Sequence, residues 1–226
     1  MDEQVTVLAE RAAAHAALGN PATVTHLLQS LRSADADEQV AALLARNPAA
    51  HVALDNPFAV AELLQTLRRA GADEQVTALG ERAAAHTPLA NPAAVTRLLR
   101  TLRQVGMHEQ VAALLARNPA AHVALDNAYT IVNLLKEMMN VDAGEQVAAL
   151  WARDLAAQVA LDSYGVNELI HLLQRTGSRE QASALTERLA ATGDFSKFIE
   201  LGGIVCSSNS DVSRMEVLPL RGHGAG

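Results

Sequence analysis

An arginine stands at the same place in each of six related segments of this 226-residue chain: Arg11, Arg46, Arg82, Arg117, Arg153 and Arg188. A guanidinium fork binds carboxylate or phosphate through two parallel hydrogen bonds, so such a row could grip an acidic or phosphorylated peptide. It could equally act within the protein, each arginine pairing with a repeated acid such as Glu38 or Glu74 to fix the register between neighbouring segments. A second basic group, Arg97, Arg100 and Arg103, recurs at i, i+3 and i+6. That spacing puts it on one side of a helix, as a contact patch or as a solvated face.

His15, His51, His86 and His122 form a third row, with Gln158 at the fifth position. Helices packed about 9 Å apart set successive imidazoles too far from one another to share an ion whose ligands lie about 2.1 Å away. The row is therefore expected to close turns by hydrogen bonds to backbone, and no metal site is expected. His26, His108, His171 and His223 stand outside the row as surface positions. The chain has no Gly-rich phosphate loop, His-Glu-x-x-His helix or Gly-x-Ser-x-Gly elbow. An active site needs one asymmetric cluster, whereas the reactive residue types here come in copies. The expectation is a protein that is not an enzyme, with no catalytic residue and no cofactor.

The elements that must position these rows come from a repeat. Asp2-Glu3-Gln4-Val5 returns at 37–40 and 73–76, then as His108-Glu109-Gln110-Val111, Gly144-Glu145-Gln146-Val147 and Arg179-Glu180-Gln181-Ala182, at spacings of 35, 36, 35, 36 and 35. A fixed period of this length marks a stacked-repeat protein. Each unit reads as two helices. Helix B opens on Asn20-Pro21, Asn56-Pro57 or Asn91-Pro92, the asparagine capping and the proline supplying a preset φ at a position with no use for an N–H. It carries apolar stripes such as Val60, Leu63, Leu64 and Leu67, or Val95, Leu98, Leu99 and Leu102, and should stop at Gly71, Gly106 and Gly177.

Helix A opens on the acidic signature, which the positive end of the helix dipole favours. Its inward positions are Val5 and Leu8, Val40 and Leu43, Val76 and Leu79, and their equivalents through Ala182 and Leu185. Even units carry Asn47-Pro48 and Asn118-Pro119, where a proline must break the helix. The larger repeat is then a 71-residue pair, and Glu38–Asn56 is identical over 19 residues to Glu109–Asn127. Phe58 and Tyr129 occur in the units with the internal proline, and Tyr164 in the fifth, so they are expected to fill the space left by the broken helix.

A single unit buries too little to offset its own ordering, so neighbours must cover one another's apolar faces. The expected fold is all-α, a right-handed two-layer α-solenoid of about six helix-turn-helix units over 1–192. A short capping segment at 193–203, with Phe195 and Phe198, and a flexible tail at 204–226 complete the expected organisation. With three Phe, two Tyr and one Trp, packing falls to Ala, Leu and Val. Net charge is −7 and only Lys136 and Lys197 are lysines, a poor basis for tracking nucleic-acid phosphates. The single cysteine, Cys206, excludes an internal disulfide. It fits a cytoplasmic location, as does the lack of a leader or a membrane-length apolar run.

The unit of about 35 residues resembles the tetratricopeptide and related α-solenoid repeats over residues 2–192, without the Trp-Leu-Gly-Tyr positions of the tetratricopeptide proper. It resembles closely the Ala/Leu/Arg-rich "DEQVAALLAR…AAHVALD" arrays of large actinobacterial proteins. The resemblance implies a non-enzymatic interaction scaffold or sensor module that binds a peptide or protein on its concave face. Glu-Gln-Val-Ala-Ala-Leu followed by a Leu-Leu-x-x-Leu helix is also similar to the repeat of TAL effectors, which implies a nucleic-acid-binding alternative. The Gly-Gly-Lys-Gln loop of that family is replaced here by Asn47-Pro48-Ala49-Ala50 or Arg82-Ala83-Ala84-Ala85. The candidate partner-binding residues are the six arginines of the row together with Arg97, Arg100 and Arg103.

Overall fold

A computed structural model describes residues 3–161 and 165–192. The expected cap at 193–203, the tail at 204–226, Cys206 and Tyr164 lie outside these residues. All regular structure among the described residues is α-helical, in fourteen helices. The first unit gives α1 (Glu3–His15) and α2 (Pro21–Ser33). The second gives α3 (Asp37–Ala45), the short α4 (Pro48–His51) and α5 (Pro57–Arg69), and the third gives α6 (Asp73–His86) and α7 (Pro92–Gln104). The fourth gives α8 (His108–Ala116), α9 (Pro119–His122) and α10 (Ala128–Asn140). In the fifth come α11 (Gly144–Trp151), α12 (Leu155–Gln158) and α13 (Val166–Arg175), and α14 (Arg179–Ala191) begins the sixth.

The B helices α2, α5, α7 and α10 start as their sequences dictate. The Asn20 side-chain oxygen accepts from the N–H of Ala22 at 2.9 Å, Asn56 from Ala59 at 3.2 Å and Asn91 from Ala93 at 3.0 Å. Asn127 caps in the same way, accepting from the Thr130 N–H at 3.1 Å, although Ala128 follows it. Their ends use the left-handed region. Gly71, Gly106 and Gly177 have φ of 71°, 82° and 88°, and the next N–H returns to a carbonyl five residues back, Ala72 to Leu67, Met107 to Leu102 and Ser178 to Leu173. This is a Schellman closure. In the two units without the glycine, Asp35 and Asp142 take the same conformation at φ 51° and 54°, and the same bond forms from Ala36 to Leu31 and from Ala143 to Met138.

That short turn folds each B helix onto the A helix of the following unit: α2 onto α3, α5 onto α6, α7 onto α8, α10 onto α11 and α13 onto α14. The compact hairpin is therefore B followed by A, half a period out of phase with units counted from the acidic signature. B helices also pack on successive B helices, α2 on α5, α5 on α7, α7 on α10 and α10 on α13. The A segments do likewise, α1 on α3, α4 on α6, α6 on α8, α9 on α11 and α12 on α14. An all-α fold with this packing is compatible with a helical repeat array.

The predicted breaks fall at Asn47-Pro48 and Asn118-Pro119, where the asparagines take the left-handed conformation. The fifth unit departs from the expected alternation. It too is broken, between α11 and α12, without a proline: Asp154 supplies the stop by accepting from the Ala157 N–H at 3.0 Å. The B stripes form the core, with Val60, Leu63, Leu64, Leu67, Val95, Leu98, Leu99 and Leu102 fully buried. One inward position is corrected. Leu43, Leu79, Leu114, Leu150 and Leu185 are buried, but Leu8 is 64% exposed, because α1 has no preceding described hairpin against which to pack.

Candidate functional site

Five arginines of the row reach an equivalent pair of carbonyls, Arg46, Arg82 and Arg117 through both terminal nitrogens and Arg153 and Arg188 through Nη1 alone. Arg46 donates through Nη1 to the Ala13 carbonyl and through Nη2 to the Ala16 carbonyl, both at 2.7 Å. Arg117 reaches Ala84 and Thr87, both at 2.8 Å, and Arg153 reaches Ala120 and Val123, both at 2.8 Å. Arg82 bonds the carbonyls of Ala49 and Val52, and Arg188 those of Ala156 and Val159. Each target lies at the C-terminal end of the preceding unit's A segment, where carbonyls have no helical N–H to accept from and the dipole is negative. Each guanidinium is half-buried.

The row is thus an internal clamp, and the acid pairing entertained for it is corrected. Glu38 and Glu74 are exposed in the first turn of their helices. Neither carboxylate pairs with an arginine of the row, in its own unit or in the neighbouring one, among the described residues, where the ion pairs join other side chains. The carbonyl pair one unit back is nearer and otherwise unpaired. Arg11 is exposed and makes no such bond among the described residues.

The signature glutamine adds a second inter-unit tie that sequence reasoning passed over. Gln75 donates to the Leu44 carbonyl at 2.7 Å and accepts from the Ala49 N–H at 3.4 Å, bridging the two sides of the α3–α4 break. Gln146 accepts from the Ala120 N–H at 3.3 Å beyond the α8–α9 break, and Gln181 donates to the Trp151 carbonyl at the end of α11. The signal was legible: a glutamine present in all six copies, which in Gln75 and Gln146 follows an Asn-Pro break by one unit. His15, His51, His86 and His122 end their helices exposed to solvent. The arginines, not the imidazoles, satisfy the adjacent carbonyls.

The exposed side of the B helices is different in kind, because its residues change from unit to unit. One register position carries His26, Glu62, Arg97, Asn133 and Glu168, and another carries Gln29, Gln65, Arg100, Lys136 and His171, of which His171 departs from its expected surface placement, being half-buried with its Nε2 enclosed. Basic residues collect here. The B helices hold Arg32, Arg68, Arg69, Arg97, Arg100, Arg103, Lys136 and Arg175 against three acids, Glu62, Glu137 and Glu168, in a chain whose net charge is −7. Phe58 and Tyr129 also surface here, 46% and 47% exposed, which corrects the expectation that they fill the broken helix. Both sit at the second position of a B helix, and the space beside the breaks is closed by the alanines of α4 and α9 and by Gln75 and Gln146.

Within this surface the Arg97, Arg100 and Arg103 stripe is not uniform. Glu137 of α10, its side chain 2% exposed, accepts from Arg100 Nε at 3.2 Å through one carboxylate oxygen and from Arg103 Nε at 2.9 Å through the other. Arg97 has no partner among the described residues. The equivalents of Glu137 are Ser30, Thr66, Thr101 and Leu172, so aligning the units exposes it as the odd member. Ion pairs also link Arg68 to Asp73 at 2.6 Å and Lys136 to Glu168.

No match to this chain is found among protein-family models, curated proteins or solved structures. No helix among the described residues is long and apolar enough to cross a membrane, and no group of three metal-ligating side chains is present among them. The arrangement offers oriented guanidinium and ammonium groups, exposed aromatics and amides. Such groups recognise anionic partner side chains by charge and hydrogen bonding.

Proposed function

We propose that the chain is a non-enzymatic interaction scaffold, a two-layer α-solenoid of about six units that binds an acidic segment of a protein partner across the exposed side of its B helices. The observation that carries this reading is the segregation of charge, a cationic B layer within an anionic chain. Packing of B on B and A on A between successive units supports the one-dimensional stack. Five of the six A-side arginines are committed to carbonyls and only Arg11 is not, which points recognition toward the B helices. Their solvent positions vary while the A signature recurs, as suits one surface that reads a partner and another that maintains the frame.

The basic B layer also favours nucleic acid as a second reading. The exposed carboxylates of Glu62 and Glu168 interrupt that layer, so its basic residues form no continuous track for a phosphate backbone and suit a short acidic segment instead. A fluorescence-anisotropy titration with a labelled polyglutamate peptide and with labelled single-stranded DNA of equal charge separates the two. The acidic peptide is expected to bind, and the double variant Arg97→Glu with Lys136→Glu to abolish its binding. Tighter binding of the DNA would overturn the assignment, as would peptide binding that ignores the double variant.

A further inference from the structure

We propose that Arg97, Arg100 and Arg103, with Glu137 as positioning residue, form a receptor for a phosphate monoester carried by a protein partner. This rests on the reading of the B helices as the partner-binding surface and names the chemistry of its centre. Glu137 uses its two oxygens on the Nε edges of Arg100 and Arg103, so the two guanidiniums are held side by side. An arginine has five N–H donors, and once Nε is engaged four remain on the terminal nitrogens. Those of Arg100 and Arg103 have no partner among the described residues, and their side chains are 42% and 39% exposed. The two guanidiniums are thus held by one buried carboxylate while their terminal N–H groups stay unpaired among the described residues, which lowers the ordering cost of binding an oxyanion.

The charge count points to phosphate. Three guanidiniums less the Glu137 carboxylate leave two positive charges, offset in part by Asp142 beside Arg103, and a phosphate monoester at about −1.5 to −2 answers that surplus better than a single carboxylate. The repeat shows how this surplus arises. In the preceding unit the signature aspartate, Asp73, neutralises Arg68 five residues before it. At the equivalent place His108 follows Arg103, and Arg103 turns to Glu137 instead. A cleft of about 330 Å³ at Arg103 is lined also by His108, Asn140, Asp142 and the apolar Val111 and Leu115.

The test uses the whole chain and a short Gly/Ser peptide with one phosphoserine, beside the same peptide carrying serine or glutamate there. Binding is followed by anisotropy and by the arginine Nε–Hε resonances. The phosphopeptide is expected to bind at least about tenfold more tightly than the glutamate peptide, and to move the Arg100 and Arg103 resonances. Arg97→Gln should weaken it with the melting temperature unchanged, and Asp142→Gly should tighten it. Glu137→Gln is the sharper variant, because it adds net positive charge: loss of affinity supports positioning, while a gain would mean bulk attraction and overturn the proposal. Equal affinity for the glutamate peptide, or indifference to Arg97→Gln, would also overturn it. If the phosphopeptide fails while polyglutamate still binds the B helices, the receptor is refuted and the scaffold reading stands; if neither binds, both fall.

Discussion

The guanidinium of Arg117 donates to the carbonyl oxygen of Thr87, thirty residues earlier in the chain and 2.8 Å away. Its other terminal nitrogen takes the Ala84 carbonyl, so one side chain finishes the helix end of the preceding unit. The contact explains why the arginine recurs in every unit. A helix that ends at an inter-unit boundary leaves carbonyls that water would otherwise satisfy, and the next unit brings the donor. Because the bonds run from side chain to backbone, the clamp tolerates Ala, Val or Thr at the receiving positions.

The turn closing each B helix yields the first prediction. An added Cβ at Gly71 would meet nothing within 4 Å, so the cost of Gly71→Ala is conformational alone. A loss of about 1 kcal/mol is expected in urea denaturation. Asp35→Gly, at the equivalent position with φ of 51°, should raise stability by about 0.5 kcal/mol in the same measurement.

Burial separates two leucines of identical repeat position. Leu79 is fully buried and Leu8 is 64% exposed. Leu79→Ala is expected to cost about 2–5 kcal/mol and Leu8→Ala less than about 0.5 kcal/mol. Equal losses in paired denaturation curves would show that the first helix packs as the others do.

Removal of the Gln75 amide frees the Leu44 carbonyl and the Ala49 N–H together. Gln75→Leu should cost about 1–3 kcal/mol. Amide hydrogen exchange should rise first at Ala49, next to the helix break. Unchanged exchange there would remove the glutamine from the inter-unit ties.

Much of this was legible in the residues. The asparagine caps, the glycine stops and the proline breaks follow from local backbone chemistry, and each sits where its residue type requires. Asp35, Asp142 and Asp154 were not legible, because aspartate tolerates a left-handed turn or caps a helix without demanding either. Partner choice for the arginines was also hidden. Sequence offers side-chain acids as visible partners, whereas the structure supplies backbone carbonyls, which every residue has and no composition reveals. Phe58 was misjudged because aromatic residues usually mark a core, and only the packed neighbours show that this position faces solvent.

That exposure is itself testable. Phe58→Ala should leave the unfolding free energy from urea denaturation unchanged within about 0.5 kcal/mol, while weakening binding of an acidic peptide to the B helices. A large loss of stability would return Phe58 to the core.

Units fastened to their neighbours by arginine are the centre of this account, and Arg117→Ala set against Arg11→Ala tests it most directly. Urea denaturation should show Arg117→Ala losing about 2–4 kcal/mol, the worth of two charge-assisted bonds at a partly buried site. Arg11→Ala, which surrenders no such bond, should stay within about 0.5 kcal/mol of the parent. Equal effects from the two substitutions would contradict the clamp.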